Sequence, residues 1–123
     1  WTDTLPVSKD SKPEETPMKK LLLPALLLAP ACWSPTPEQE ARAETVAGLT
    51  ADADAGADLY ANDCAACHAA DGTGGSGPDL TKHADDDAYD LVLKLFQGPG
   101  DMGSYEDWED QELADVVAHV QSL

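Results

Sequence analysis

The chain has 123 residues and a formal net charge of −17, from 24 acidic and 7 basic side chains. That length suits one compact domain, and the charge excludes nucleic acid as a partner, because phosphate binding needs clustered Lys and Arg. Hydrophobic residues make up 42% of the chain but aromatics only 6%, so side chains alone would leave a thin core.

Residues 1–17 are polar, contain Pro6, Pro13 and Pro17, and show no periodicity. Met18 opens a different stretch: Lys19 and Lys20, then the apolar run Leu21 to Leu28 broken by Pro24, then Ala29-Pro30-Ala31 before Cys32. This is the layout of a secretory signal, and the run is too short for a bilayer, which needs about 20 apolar residues. Residues 18–32 are therefore expected to be the signal. Residues 1–17 are expected to be a start-site artefact ahead of Met18 or a disordered polar extension. Cys32 resembles the acceptor cysteine of a bacterial lipoprotein signal, although Ala29 and Pro30 fit that motif imperfectly. The alternatives are ordinary cleavage after Ala31, or after Ala43 in Ala41-Arg42-Ala43, which lies rather far from the apolar run, and an uncleaved anchor. A leftover thiol in an exported chain needs an explanation, and lipidation gives one.

The excess of acid lies beyond Cys32. Residues 1–31 are charge-balanced, whereas after Cys32 there are 20 acids against Arg42, Lys82 and Lys94. A partner with a basic surface fits this field, as does a solvated surface adapted to salt. Residues 33–50, with Pro35, Pro37 and the charges of Glu38, Glu40, Arg42 and Glu44, read as a flexible linker spanning roughly 25 Å. The domain is expected over 51–123, with amphipathic stretches at about 52–67, 85–97 and 111–123. In the second, Tyr89, Val92, Leu93 and Phe96 share a face; in the third, Leu113, Val116, Val117, Val120 and Leu123 do. Asp110 is the expected N-cap of the last. A Gly-rich loop runs from Asp71 to Pro78, and no stretch alternates like a strand.

Cys64-Ala65-Ala66-Cys67-His68 carries the chemistry. Cys-x-x-Cys-His is the attachment motif of c-type haem: two cysteines one helical turn apart can each add to a porphyrin vinyl group, and the histidine then sits beneath the iron. The rival readings are a redox disulfide, which lacks its strand–helix context, and half a zinc site, for which only His83 and His119 remain. Of two methionines, Met18 lies in the signal, and Met102 lies in the loop Gly98-Pro99-Gly100-Asp101-Met102-Gly103 without helical pattern. Such a residue is a candidate sixth ligand, with His83 as its rival.

From Gly56 to Leu123 the chain resembles the single-haem class I cytochrome c family. The matching text is Gly56, Leu59-Tyr60, Asn62, Cys64 to His68, Asp71-Gly72, Gly74, Gly77-Pro78-Asp79-Leu80, Gly98, Gly100, Met102, Leu113 to Val117 and Ser122-Leu123. The resemblance implies an all-α, cytochrome c-like fold of a few helices around one covalent haem c per chain. It implies that Cys64 and Cys67 hold the haem, that His68 and Met102 bind iron, that the Pro78 carbonyl accepts from the His68 ring, and that Leu80 packs on the haem. Two positions depart from the family: Gly103 replaces a proline after the ligand methionine, and His119 replaces an aromatic at the crossing of the first and last helices. His119 is read as a packing residue. Gly103 predicts a more mobile loop and a more labile iron–sulfur bond.

A six-coordinate iron leaves no position for substrate, so the expected role is electron carriage rather than catalysis. The protein is expected to be a monomer in the periplasm, tethered at Cys32 and serving redox partner proteins with basic docking surfaces. An electron-transfer subunit held permanently by a dehydrogenase or reductase is the alternative. A haem sensor or peroxidase would need an open sixth position.

Overall fold

Thr36-Pro37-Glu38-Gln39 starts a helix where the sequence predicts a linker. The computed structural model describes residues 32–123, so the expectations for residues 1–17 and for the signal sequence up to Ala31 lie outside the described residues. Helix α1 spans Pro37–Ala47. Thr36 caps it: the Thr36 hydroxyl accepts from the Gln39 N–H at 3.2 Å, and the Gln39 side chain accepts from the Thr36 N–H at 2.9 Å. Pro37 occupies a first-turn position that needs no N–H donor, and Glu38 and Glu40 complement the positive end of the helix.

This corrects the linker reading of residues 33–50. Pro and charge suggest an unstructured stretch, but the same residues form a capping box, and Ala43 and Val46 supply an apolar stripe. Both are buried, in one core with Val92, Phe96, Leu113, Ala114 and Val117. Burying a valine side chain stabilises by about 1.5–3 kcal/mol, enough to hold a capped helix onto its neighbours. Arg42 adds a polar clamp. Its Nε lies 2.7 Å from Asp110 Oδ1, its terminal nitrogens donate to the carbonyls of Glu106 and Trp108, and its guanidinium stands 5.1 Å from the Phe96 ring centroid.

Helix α2 spans Ala53–Asp63. The Asp52 carboxylate accepts from the N–H groups of Asp54 and Ala55 at 3.0 and 3.2 Å, and the Asp52 N–H donates to the Asp115 carboxylate at 2.8 Å. The stretch expected over 52–67 is broken at Cys64, after which α3 forms the single turn Ala65–His68. A 3-10 turn covers Leu80–His83. Helix α4, Ala88–Gln97, stops at Gly98, whose φ of 59° is left-handed. Helix α5, Asp110–Gln121, is capped by Glu109, one residue before the expected Asp110; the Glu109 N–H donates to the Glu112 carboxylate at 3.1 Å.

Among the described residues there is no strand, and the fold is all-α as expected. Helices α2 and α5 cross where Gly56 faces the Asp115 backbone. Beside that crossing the Tyr60 and His119 rings lie 4.9 Å apart at 54°, the packing role expected of His119. Tyr60, Cys64 and Val116 form a second small core, bordered by Leu59, Leu80, Leu95 and Val120.

Candidate functional site

The turn α3 is held by the loop after it. The Gly77 N–H donates to the Cys67 carbonyl at 2.8 Å, the Gly74 N–H to the His68 carbonyl at 2.9 Å, and the Leu80 N–H to the Gly72 carbonyl at 2.7 Å. The loop therefore folds back over His68. A Cβ at Gly77 would sit 2.8 Å from His68 Cε1 and 2.9 Å from Nδ1, which no real Cβ tolerates. Only glycine lets the backbone come this close to the imidazole ring. The Tyr60 hydroxyl donates to the Ala69 carbonyl at 2.7 Å, fixing the chain just beyond His68.

His68 is buried, 7% exposed. Its Nδ1 lies 2.9 Å from the Pro78 carbonyl oxygen. A carbonyl can only accept, so Nδ1 carries the hydrogen, and in the neutral ring Nε2 then holds the lone pair. That tautomer is the one in which a second-sphere carbonyl orients a ring and raises its basicity toward a metal.

His68 lines a mostly apolar cavity of about 600 Å³. Cys64, Cys67, Pro78, Leu80 and Met102 line it too, so all six residues singled out from sequence come together on one cavity. Its apolar wall comes from Leu91 and Leu95 of α4 and Val116, Val117 and Val120 of α5. Sequence reasoning places those valines on a helix stripe but not on this wall. It also misses Tyr105, whose hydroxyl donates to the Asp63 carbonyl at 3.1 Å and whose N–H donates to the Leu95 carbonyl at 2.8 Å. Tyr105 packs edge-on against Trp108, ring centroids 4.9 Å apart, and so ties the Met102 loop to α2 and α4. Nothing in the local pattern around Tyr105 announces those partners, which lie distant in sequence.

The two thiols differ. Cys64 is buried and Cys67 exposed, and burial above all, with Asp63 and Cys67 nearby, pushes the Cys64 thiol up to about 11. His83, the rival ligand, also lines the cavity, and its Nδ1 lies 2.7 Å from the Asp86 carboxylate. Among the described residues no three His, Cys, Asp or Glu side chains converge as a metal cage. The two cysteines, the imidazole residue His68 and the thioether residue Met102 instead line an apolar cavity. That donor set fits a flat, apolar iron macrocycle held by thioethers.

A family model described as cytochrome c oxidase, cbb3-type, subunit III matches residues 51–120. The chain belongs to this family. No curated protein and no solved structure matches it significantly. The matched residues form a cytochrome c domain that carries covalent haem c, whose attachment motif the Cys64, Cys67 and His68 sequence fits, and that serves electron transfer between redox partner proteins. Haem c supplies an iron centre that gains and loses one electron. The chain's own residues would shield it: the α4 and α5 side chains on the cavity wall would exclude water, Pro78 fixes the His68 ring, and Tyr105 ties down the loop that carries Met102. Helix α1 lies outside the matched residues, yet shares their core.

Proposed function

We infer that the protein is a one-electron carrier on the outer side of a bacterial cytoplasmic membrane, with His68 and Met102 as the two axial iron ligands and a lipid on Cys32 as its tether. The observation that carries this reading is that His68 and Met102 line the same cavity as Cys64 and Cys67, with Nδ1 of His68 already engaged by Pro78. A thioether ligand and burial favour the ferrous state and a raised potential. No helix of the described residues is long and apolar enough to cross a membrane, so a tether at Cys32, which is exposed, is the anchor we propose. The 20 carboxylates after Cys32 suit docking to basic partner surfaces, with rates that fall steeply with salt.

The test is spectroscopic. The oxidised, haem-loaded protein should show the weak near-infrared band of a ferric haem with a thioether ligand, and Met102→Ala should abolish it, lower the potential and open the iron to carbon monoxide. A bis-histidine spectrum changed by His83→Ala and untouched by Met102→Ala would reject the ligand assignment. Detergent partitioning lost in Cys32→Ala tests the tether separately.

The family's description supports a second reading: a subunit held permanently by a membrane oxidase or another redox enzyme. Trp33, 39% exposed, is the one large exposed hydrophobic side chain among the described residues. Permanent interfaces are usually broad and apolar, so the described surface favours the exchanging carrier. Co-purification of a stoichiometric complex from native membranes would favour the subunit.

A further inference from the structure

After Cys32 the chain has three Lys or Arg side chains, Arg42, Lys82 and Lys94, and their placements differ. Arg42 is engaged with Asp110 and two carbonyls between α1 and α5. Lys82 is exposed on the 3-10 turn and does not line the cavity. Lys94, on α4, is exposed and also lines the cavity beside Leu91 and Leu95. A lysine so placed lays its apolar stem along the wall and keeps its ammonium at the mouth. Asp90 sits one turn earlier, a spacing that favours a surface pair. Yet the ion pairs among the described residues are Arg42–Asp110 and His83–Asp86. His83 is committed to Asp86, and Asp86 and Lys94 line one shallow cleft, so His83 and Lys94 share a rim of the haem cavity.

Haem c brings two carboxylate side chains of its own. In a chain of net charge −17 they enter a negative field, and a carboxylate leaving water needs a charged or hydrogen-bonding partner. The acids on the cavity wall, Asp63 and Asp101, adjoin Cys64 and Met102 and repel carboxylates from those positions. We propose that Lys94 anchors a haem carboxylate through an ion pair at the rim it shares with His83. This rests on the covalent haem of the family and not on the assignment of Met102. Lys94 sets the orientation of the polar edge and, by its positive charge, holds the potential up.

The experiment compares haem-loaded wild type with Lys94→Gln, Lys94→Arg and Lys82→Gln. All four should be red with covalent haem; a colourless wild type would overturn the haem reading itself. Lys94→Gln should shift the carboxylate bending mode of the haem in the resonance Raman spectrum and lower the reduction potential, and the drop should persist at 1 M salt, where the Debye length is about 3 Å and only contact pairs act at full strength. Lys94→Arg should restore both readouts. Lys82→Gln removes an equal charge from outside the cavity and should leave the Raman mode unchanged. An unshifted mode in Lys94→Gln, or a shift of the same size in Lys82→Gln, overturns the proposal whatever the potential does.

Discussion

The carbonyl of Asp115 stands where a Cβ on Gly56 would have to go. The atoms in the way are backbone, of Asp115 and Val116, so no rotamer change can make room. The Asp115 carboxylate also receives the Asp52 N–H at 2.8 Å, so the start of α2 is fixed to the same turn of α5. Gly56→Ala is expected to cost about 3 kcal/mol, the upper part of the usual overpacking range. Urea unfolding of the haem-loaded chain measures it; a loss below about 0.5 kcal/mol would mean that the helices can part there without penalty.

Arg42 is expected to be irreplaceable by lysine. Its fork reaches Asp110, Glu106 and Trp108 at once while its Cζ stands over the Phe96 ring, and a point charge on a flexible stem cannot reproduce that. Arg42→Lys should lose about 1–2 kcal/mol and Arg42→Ala about 2–3 kcal/mol. Removing residues 33–48 should do more, because Ala43 and Val46 leave Val92, Phe96 and Leu113 uncovered. The truncated chain should bind a hydrophobic dye and melt at lower temperature. Unchanged melting of both Arg42 variants would return α1 to the status of a linker.

The motif Cys64 to His68 is legible in the sequence because its chemistry is local: two thioethers and a ligand need consecutive turns of one chain. Met102 stands out by elimination in a glycine-rich loop, and the stripes of α4 and α5 by periodicity. Helix α1 is hidden because Pro37 and four charges outweigh the capping pair Thr36 and Gln39, and because its two buried residues gain their value only from α4 and α5. The break at Cys64 is invisible for a related reason: the amphipathic pattern continues through it, and only the backbone shows α2 ending and α3 beginning there. Tyr105 matters through Asp63 and Leu95, partners that folding brings near and no local pattern encodes.

Two aspartates on the site loop make stability fall in acid. The Thr73 hydroxyl donates to Asp71 at 2.7 Å, and that bond chiefly holds the Asp71 carboxyl below its ordinary value. The Thr81 hydroxyl does the same for Asp79. A carboxylate depressed in the folded chain stabilises it fully above its unfolded pKa, near 4, and ceases to as pH falls through the folded value. Stability should therefore decline from about pH 5 downward, and Asp71→Asn with Asp79→Asn should flatten that decline relative to wild type. Denaturant titrations at a series of pH values read the slope; identical slopes would show that both loop carboxylates titrate alike folded and unfolded.

Gly77 makes the closest approach to the His68 ring, and the last prediction concerns it. The Gly77 N–H is bound to the Cys67 carbonyl at 2.8 Å, and the Pro78 carbonyl beyond it receives the His68 Nδ1–H at 2.9 Å. Gly77→Ala would place a methyl 2.8 Å from Cε1, so either the ring tilts or the loop lifts. Both lengthen the Nδ1–H to Pro78 bond, and a second-sphere bond of this kind fixes ring orientation and basicity. The variant should still attach haem, because Cys64 and Cys67 are untouched. Its Nδ1 proton should exchange faster with solvent by NMR, and its potential should rise, since a less basic imidazole donates less to the ferric iron. Gly77→Ser should behave like Gly77→Ala, since the Cβ and not its substituent meets the ring. A protected Nδ1 proton and an unchanged potential in both variants would mean that the loop can move without the histidine, and that Pro78 does not tune the iron.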